Sequence, residues 1–360
     1  MFLWISEYFN CKLKILYFIP YRIIFSLLTS FFINLFIIPK LIFYFHKSKK
    51  YQIIRKNGPI NHILKKNTPT MGGILIIFSI LISIFLYCDL FDIDIWYIIL
   101  ILVGYGLIGF LDDYKKIRYK NSCGLKILWK FFLLSTIAVL IIYIINHNNY
   151  SNNIQISIPF YSIVSYKFNY LYIFLSYLVI VGTSNAVNLT DGLDGLAIMP
   201  IIFLSCALGL ISFFSSNIYF CQIMNVVFLK NASELVILCS AIIGSGLGFL
   251  WFNAHPSQIF MGDVGSLPLG GSLGVIAILL HQEFLLFFLG GIFVIETISV
   301  ILQVIYFKIT KKRIFKMSPI HHHYEIKGVS ESLIIVRFWI ISLLLLFIAI
   351  VSLRVHINVS

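Results

Sequence analysis

Ten runs of mostly apolar residues, each long enough to cross a lipid bilayer as a helix, dominate this sequence. A spanning helix needs about 20 such residues, and the runs follow one another with only short polar segments between them. The predicted spans are 20–45, 70–88, 94–111, 127–146, 170–185, 194–214, 234–251, 264–280, 284–308 and 333–356. Because lipid cannot satisfy open backbone groups, this pattern predicts an all-α integral membrane protein with ten transmembrane helices.

The composition excludes several other classes of protein. The chain is 60% hydrophobic and 11% charged, whereas soluble domains carry about 25% charged residues. A large soluble catalytic domain, a disordered chain and a small disulfide scaffold are therefore excluded. The six cysteines contain no C-x-x-C pair, so we expect them to pack rather than to bind zinc. Residues 1–360 are expected to form a single polytopic domain, with its chemistry in short loops and helix ends.

The basic residues predict the orientation of the chain in the membrane. Of the 27 lysines and arginines, 17 lie in the three loops 46–69, 112–126 and 309–332. The loops of the opposite face hold only Lys167 and Lys230. The positive-inside rule then places the basic loops in the cytoplasm and both termini in the periplasm. Since topology explains the basic residues, we expect no nucleic-acid partner.

Polar residues cluster in a few segments that this topology brings to the cytoplasmic face. The clusters are 108–116, 185–197, 252–271 and 317–325, with the basic segment 65–73 as a companion. Polar groups at a membrane boundary are costly, so their convergence on one face indicates a single functional site.

Five aspartates on this face predict a divalent metal ion beside a polyphosphate. Asp112 and Asp113 directly follow an apolar run, Asp263 precedes one, and Asp191 and Asp194 lie between two spans. Adjacent carboxylates repel each other unless a cation neutralises them. Mg²⁺ prefers oxygen ligands and completes its shell with water and substrate phosphates. A solvated helix end is the alternative for Asp112 and Asp113 taken alone.

The segment 185–195 carries four polar residues at a spacing of three. They are Asn185, Asn188, Asp191 and Asp194. If the segment is helical, these side chains share one face. The alternative is a turn through Gly192 and Gly195 in which one aspartate caps the next helix. Capping explains one of the four residues, so a binding or catalytic role is favoured.

Histidines and lysines surround these carboxylates in the predicted topology. For His321, His322 and His323, the basic setting favours phosphate binding over a zinc site. The lysines form a field that attracts an anionic substrate and an anionic lipid head group; they are Lys65, Lys66, Lys115, Lys116, Lys120 and Lys130. Metal carboxylates inside a cationic rim at membrane level indicate phosphoryl transfer onto a lipid phosphate.

Three further polar or aromatic residues have two interpretations each. Phe260 is suited to stacking on a base, but aromatic residues are also common at membrane interfaces. Glu296 and Gln303, seven residues apart in the ninth span, support the site or bond to neighbouring helices.

The chain closely resembles the phospho-N-acetylmuramoyl-pentapeptide-transferase family over essentially its whole length. The resemblance is carried in order by KKNTPTMGG, GFLDDYKK, NAVNLTDGLDGLA, FLWFNAHPSQIFMGDVGSLPLGG and PIHHHYE. It implies a bacterial inner-membrane enzyme that transfers phospho-MurNAc-pentapeptide from UDP-MurNAc-pentapeptide to undecaprenyl phosphate, releasing UMP and making lipid I. It also implies a Mg²⁺ cofactor and a homodimer. Asn67 departs from the family, which usually has glycine at that position.

Roles carry over residue by residue where the motifs match. The resemblance implies catalytic roles for Asp112, Asp113, Lys116, Asp263, His321 and His322, with Asp263 as the metal ligand, and we expect Asp113 to help hold the metal. Substrate binding is implied for Lys120, Lys130, one of Lys65 or Lys66, Asn188, Asp191, Gly192, Leu193, Asp194, Phe260 and His323. To these we add Asn185 and Asn253 from the same polar clusters.

Two alternative functions remain open from the sequence. A polyprenyl-phosphate GlcNAc-1-phosphate transferase shares the aspartate pattern, but its histidine-containing loop differs from PIHHHYE. A transporter or lipid flippase would place its acidic residues near the middle of the bilayer. The sequence also does not choose between direct attack by the lipid phosphate and a covalent aspartyl intermediate.

Overall fold

The computed structural model describes residues 18–48, 51, 68–121, 124–148, 153–160, 164–167 and 170–354. Within these ranges the chain forms thirteen helices and one short β-hairpin. The elements are α1 (Ile19–Lys47), α2 (Gly73–Tyr87), α3 (Ile93–Tyr119), α4 (Ile127–Asn148), β1 (Asn153–Ile156), β2 (Val164–Lys167), α5 (Tyr170–Thr190), α6 (Ile198–Ser215), α7 (Ile218–Met224), α8 (Ala232–Asn253), α9 (Asp263–Leu279), α10 (Glu283–Leu289), α11 (Gly291–Thr310), α12 (Ile320–Ile326) and α13 (Glu331–Arg354).

The apolar helices make the chain a multi-pass membrane protein. Eight of the described helices are long and apolar enough to cross a bilayer, namely α1, α3, α4, α5, α6, α8, α11 and α13. The helices α2 and α9 are apolar but shorter. Large apolar side chains such as Phe36, Phe43 and Leu128 are exposed on the outer surface, as expected for a surface that lipid covers. Each predicted span overlaps one or two apolar helices, while ten crossings and periplasmic termini stay predictions.

Three elements differ from the predicted bounds. Helix α3 continues beyond the predicted end at 111, so Asp112 and Asp113 lie within the helix and not in a loop. Lys116 and Arg118 favour this extension because cations stabilise the C-terminal end of a helix dipole. The predicted span 284–308 divides at Gly290 into α10 and α11, since two consecutive glycines disfavour helix. The loop after α4 adds an antiparallel hairpin in which Asn153 lies opposite Lys167.

Helix α9 forms the centre of the bundle. Every residue from Val264 to Ile278 is buried, and the helix packs mainly against α3 and α5. Gly109 of α3 contacts the first turn of α9 so closely that a side chain there would overlap the carbonyl of Asp263. This close approach brings the start of α9 beside the end of α3.

A buried ion pair joins α1 to α8 away from this contact. Arg22 donates from its two terminal nitrogens to the two carboxylate oxygens of Glu234 at 2.8 and 2.6 Å. Its Nε donates to the carbonyl of Tyr87 at 2.6 Å, and the N–H of Asp89 donates to Glu234 at 2.8 Å. The two-point geometry and the additional hydrogen bonds satisfy both charges, as a buried pair requires.

Candidate active site

Three carboxylates from two helices meet where α3 ends and α9 begins. Asp112 and Asp113 project from α3, and Asp263 is the first residue of α9. One oxygen of each carboxylate lies within 4.8 Å of the others. Asp112 and Asp113 are buried, and Asp263 is half-buried. We call these three residues the carboxylate cluster.

Asp113 joins the two helices directly. The backbone N–H of Val264 donates to Asp113 Oδ2 at 3.1 Å, so a side chain of α3 satisfies an open N–H group in the first turn of α9. Gly262, the residue before α9, has a φ of 75°, and a Cβ there would lie 2.5 Å from the same oxygen. Glycine is therefore required at this turn for Asp113 to reach the helix terminus.

Asp112 is oriented by the loop that follows α3. The backbone N–H of Leu125 donates to Asp112 Oδ1 at 2.6 Å. The other oxygen of Asp112 is then directed toward the centre of the carboxylate cluster, where it contacts Lys116.

Two lysines neutralise most of the negative charge. Lys116 Nζ lies 2.5 Å from Asp112 Oδ2, 3.3 Å from Asp113 Oδ1 and 3.0 Å from Asp263 Oδ2. Lys130, on α4, lies 2.6 Å from Asp263 Oδ2 and 4.0 Å from Asp112 Oδ2. The ammonium group of Lys116 thus contacts all three carboxylates. Neighbouring carboxylates need such a positive charge between them, and a bound metal cation would meet the same need.

Asn188 extends the site onto α5. Its Nδ2 donates to Asp263 Oδ1 and to Ser266 Oγ, both at 2.8 Å. Sequence reasoning missed Ser266, although it lies three residues after Asp263 and thus on the same helix face. Asn185 is not brought to the carboxylate cluster by a hydrogen bond, because its Nδ2 donates to the carbonyl of Val181 in its own helix.

Asp191 directly follows the end of α5, and the negative charges of the carboxylate cluster act on it electrostatically. Burial, followed by the charges of Asp263 and Asp113, raises the pKa of Asp191 to about 8, although a hydrogen bond from the backbone of Gly262 opposes the shift. The segment 185–195, for which the sequence left a helix and a turn open, is helical through Thr190 and forms a turn after it.

The turn after Asp191 is anchored by Asp194 and Asn253. Asp194 accepts hydrogen bonds from Ser257 Oγ at 2.8 Å and from the Ser257 N–H at 3.1 Å, and its Oδ2 lies 3.0 Å from His255 Nδ1. Asn253 Oδ1 accepts from the N–H of Gly195 at 3.0 Å. Neither aspartate caps α6, which has no side-chain cap, so the capping alternative is wrong. Substrate binding by Asp194, Asn253 and the buried Leu193 stays a prediction.

Backbone pairing brings two motifs together beside the carboxylate cluster. The N–H of Phe260 donates to the carbonyl of Pro69, and the N–H of Gly72 donates to the carbonyl of Phe260, both at 2.9 Å. Lys65 and Lys66, in the same motif as Pro69, lie outside the described residues. Lys120 is an exposed C-cap of α3 and pairs with no carboxylate within the described ranges.

The three histidines have different surroundings. His321 is fully buried, with Nδ1 3.0 Å from Glu296 Oε1. His322 Nδ1 lies 2.7 Å from Glu325 Oε2, and His323 Nδ1 accepts from the backbone of Lys316 at 3.1 Å. Desolvation, followed by the charges of Lys327 and Lys316, lowers the pKa of His323.

His321 contacts the turn after Asp191. A Cβ on Gly192 would overlap His321 Nε2. Glu296 therefore supports the site through its contact with His321. Gln303 stabilises the segment before α12, since its Oε1 accepts hydrogen bonds from the N–H groups of Ile314 and Phe315 at 3.1 and 2.9 Å.

An apolar cavity of about 260 Å³ lies between α5 and α11. Ala186 and Val187 form part of its wall, immediately before Asn188 in the chain. The remaining lining is almost entirely aliphatic and aromatic, and it includes Leu273, Phe287 and Phe293. The wall of the cavity in α5 thus ends one residue before Asn188, and its lining is apolar.

Comparisons with known proteins match this chain along its whole length. The profile of glycosyl transferase family 4 matches residues 95–281, and phospho-N-acetylmuramoyl-pentapeptide-transferase signature 1 matches residues 65–77. The phospho-N-acetylmuramoyl-pentapeptide-transferases of Buchnera aphidicola subsp. Acyrthosiphon pisum strains Tuc7 and APS are each 65% identical over 99% of this chain and 100% of their own length. The protein of that name from subsp. Baizongia pistaciae is 54% identical over 93% of this chain and 99% of its own length.

Proposed function

The chain belongs to the phospho-N-acetylmuramoyl-pentapeptide-transferase family, and on this premise we propose that it transfers phospho-MurNAc-pentapeptide from UDP-MurNAc-pentapeptide to undecaprenyl phosphate. The products are lipid I and UMP, in the first membrane step of peptidoglycan synthesis. One observation carries the proposal: a carboxylate cluster with two lysines lies next to an apolar cavity. The first feature suits a pyrophosphate and the second suits a lipid tail.

The carboxylate cluster fits Mg²⁺ by the chemistry of its donors. All three groups are carboxylates, with an amide and a hydroxyl alongside, and Mg²⁺ prefers such oxygen ligands. The contact of Lys116 with all three carboxylates marks a position that favours positive charge. Asp263 and Asp113 would hold the ion, and bound Mg²⁺ would neutralise charge on the pyrophosphate of the donor.

The side chains of the site have separate tasks in this reaction. Lys116 and Lys130 bind phosphate oxygens of the donor, because their ammonium groups already converge on the place of highest negative charge. Asp112 orients the lipid phosphate or accepts its proton, since its Oδ2 is directed into the carboxylate cluster while Leu125 fixes Oδ1. Asn188 fixes the orientation of Asp263 through its amide.

The apolar cavity would hold part of the isoprenoid tail of the acceptor. Its wall at Val187 is one residue from Asn188, which hydrogen-bonds to Asp263, and this neighbourhood supports a lipid whose phosphate lies toward the carboxylate cluster. Holding both reactants in this way converts a reaction between two molecules into one within a complex.

We propose direct attack rather than a covalent enzyme intermediate. A phosphate oxygen of the lipid forms a bond to the sugar-linked β-phosphorus, and the bond from that phosphorus to UMP breaks. Rapid quench with labelled donor and without lipid distinguishes the schemes. Direct attack releases no UMP under these conditions, whereas an aspartyl intermediate releases one UMP for each enzyme molecule.

The location and assembly of the enzyme are part of the proposal. The distribution of basic residues supports an inner-membrane enzyme with its site open to the cytoplasm, and the family resemblance supports a homodimer. Labelling of single introduced cysteines in intact cells tests the orientation. Light scattering on the detergent-purified protein tests the dimer.

The decisive experiment measures UMP release by detergent-purified protein with undecaprenyl phosphate and Mg²⁺. Two donors are compared, UDP-MurNAc-pentapeptide and UDP-GlcNAc. Release from the muramoyl donor alone supports the proposal. Release from UDP-GlcNAc assigns the chain to the GlcNAc-1-phosphate transferases, and release from neither donor by folded protein overturns the transferase assignment.

A further inference from the structure

We infer that Glu331, in the first turn of α13, is a positioning residue for the turn of residues 191–195, and that this turn binds the UDP-linked donor with full affinity only while α13 fixes it. The inference rests on the proposed function for the identity of the donor. It extends that function because it adds a residue of α13 to the structure that binds the substrate.

The turn has an accessible part and a buried part. Asp191 and Gly192 are partly exposed, and the charges of the carboxylate cluster act on Asp191, so a substrate in the site can reach this part. Leu193, Asp194 and Gly195 are buried. The buried part fixes the accessible part, and the position of Asp191 therefore depends on what holds Asp194 and Gly195.

The backbone of the buried part is bonded to side chains of two other helices. Two of these bonds come from α13, because Glu331 Oε1 accepts the N–H of Asp194 at 3.2 Å and Trp339 Nε1 donates to the carbonyl of Gly195 at 3.2 Å. The third comes from the end of α8, where Asn253 Oδ1 accepts the N–H of Gly195 at 3.0 Å. Helix α13 thus holds the turn at two points.

Glu331 also lies beside the side chain of Asp194. Glu331 Oε2 is 3.9 Å from His255 Nδ1, and the same nitrogen is 3.0 Å from Asp194 Oδ2. One atom of each of these three side chains lies within 4.8 Å of the others. The turn, the segment after α8 and the start of α13 therefore meet at a single polar contact, and Glu331 is the residue that α13 contributes to it.

The bond from Asp194 does not depend on the charge of Glu331. A backbone N–H can only donate, and a carboxyl group offers an accepting oxygen whether or not it is ionised. The alternative role of Glu331 is local, because an acidic residue in the first turn stabilises a helix through the helix dipole. That role needs a negative charge, whereas the bond from Asp194 needs only an acceptor, so Glu331→Gln separates the two.

The test compares Glu331→Ala with Glu331→Gln in the detergent-purified full-length protein. Alanine removes the acceptor of the buried N–H of Asp194, whereas glutamine keeps an amide oxygen in its place. Calorimetry without lipid acceptor gives the Kd for UDP-MurNAc-pentapeptide, and UMP release at saturating donor gives kcat. Hydrogen exchange of the peptide that contains Asp194 reports on the bond itself.

We expect the Kd for the donor to rise by about tenfold in Glu331→Ala, because a buried donor that loses its acceptor destabilises the bound position of the turn by an amount that corresponds to about this factor. The kcat should change by less than about threefold, since the contact acts on binding. Glu331→Gln should restore the wild-type Kd and the slow exchange of the Asp194 N–H. A merely local effect on α13 would lower the folded fraction and would leave the Kd of the folded molecules unchanged.

Glu283→Ala is the matched control. Glu283 is fully buried and accepts from Tyr172 at 2.7 Å, near the end of α5 that is opposite to Asp191. Its removal therefore also takes an acceptor from a buried donor, but it does so away from the turn, and the Kd should stay at the wild-type value. Trp339→Phe is a second variant at the turn, because it keeps an aromatic ring and removes the N–H that Gly195 accepts; it should raise the Kd as Glu331→Ala does.

Three results would overturn the inference. They are an unchanged Kd in folded Glu331→Ala, a Kd that Glu331→Gln does not restore, and an equal rise of the Kd in Glu283→Ala. If Glu331→Ala does not fold, Trp339→Phe decides the point, and an unchanged Kd in that protein also overturns the inference. A wild type that releases no UMP refutes the proposed function instead, and the Kd values for the donor then still decide the role of Glu331.

Discussion

Gly192→Ala tests whether the turn after Asp191 and His321 form one rigid contact. The added Cβ would overlap His321 Nε2, whereas the backbone of Gly192 is outside the left-handed region and accepts alanine without strain. His321 cannot rotate away, because it is fully buried and its Nδ1 is paired with Glu296. The turn must therefore move, together with Asp191 at the edge of the carboxylate cluster.

The structure sets the size of this effect. Ordinary contact begins at 3.4 Å, and the built Cβ lies about 1 Å inside that limit; a misplacement of about 1 Å in a substrate-positioning element costs about a hundredfold in rate. We expect kcat/KM for UMP release from the muramoyl donor to fall by about that factor. The free energy of unfolding should fall by only about 1–3 kcal/mol, as for other overpacked positions.

Gly209→Ala is the matched control for this experiment. Its Cβ would lie 3.2 Å from Cys239 Cβ, so it also overpacks the interior, but it does so between α6 and α8 and away from the site. Both variants should lose some thermal stability in detergent, and only Gly192→Ala should lose activity. Wild-type kcat/KM in a folded Gly192→Ala protein would show that the contact with His321 does not position the turn.

Three other predictions follow from the same structure. Asp263→Asn should lower kcat by at least about a hundredfold without unfolding the protein, since it removes a carboxylate proposed to hold the ion that stabilises charge in the transition state; near wild-type turnover would contradict the metal assignment. Chelation of divalent ions with EDTA should abolish UMP release and added Mg²⁺ should restore it, and activity that persists in EDTA would exclude the ion. Arg22→Met should lower the free energy of unfolding by about 3–5 kcal/mol, because it leaves Glu234 as an unpaired buried charge. In a detergent denaturation assay the exposed Arg118→Met should change stability by no more than about 0.5 kcal/mol, and equal losses in the two variants would refute the role of the ion pair.

Much of the fold was predictable because its signals are local. A run of about 20 apolar residues has few alternatives to a membrane helix, and eight of the ten predicted spans contain a helix long and apolar enough to cross a bilayer. The residues at which helices begin and end were less predictable where the end of the helix is polar. Helix α3 continues through Asp112 and Asp113 because Asp113 satisfies the N-terminus of α9 and Leu125 donates to Asp112, and hydropathy contains no information about either partner.

The residues of the site also fall into those that the sequence identified and those that only the structure revealed. The motifs identified Asp112, Asp113, Asp263 and Lys116, and the structure brings all four together. Sequence reasoning left two uses open for Glu296, and the structure assigns it to His321. Sequence reasoning missed Ser266, whose only signal was its spacing from Asp263 along one helix face.

The sequence by itself determined that this chain lies in a membrane, which segments form its helices, and which family it resembles. Only the tertiary structure decided which polar groups contact one another. The reason is physical: helix formation and membrane insertion depend on neighbouring residues, whereas the contact of His321 with Gly192 joins positions far apart in the chain. Such contacts depend on how closely packed helices approach, and at Gly109 that distance is set by the absence of a side chain.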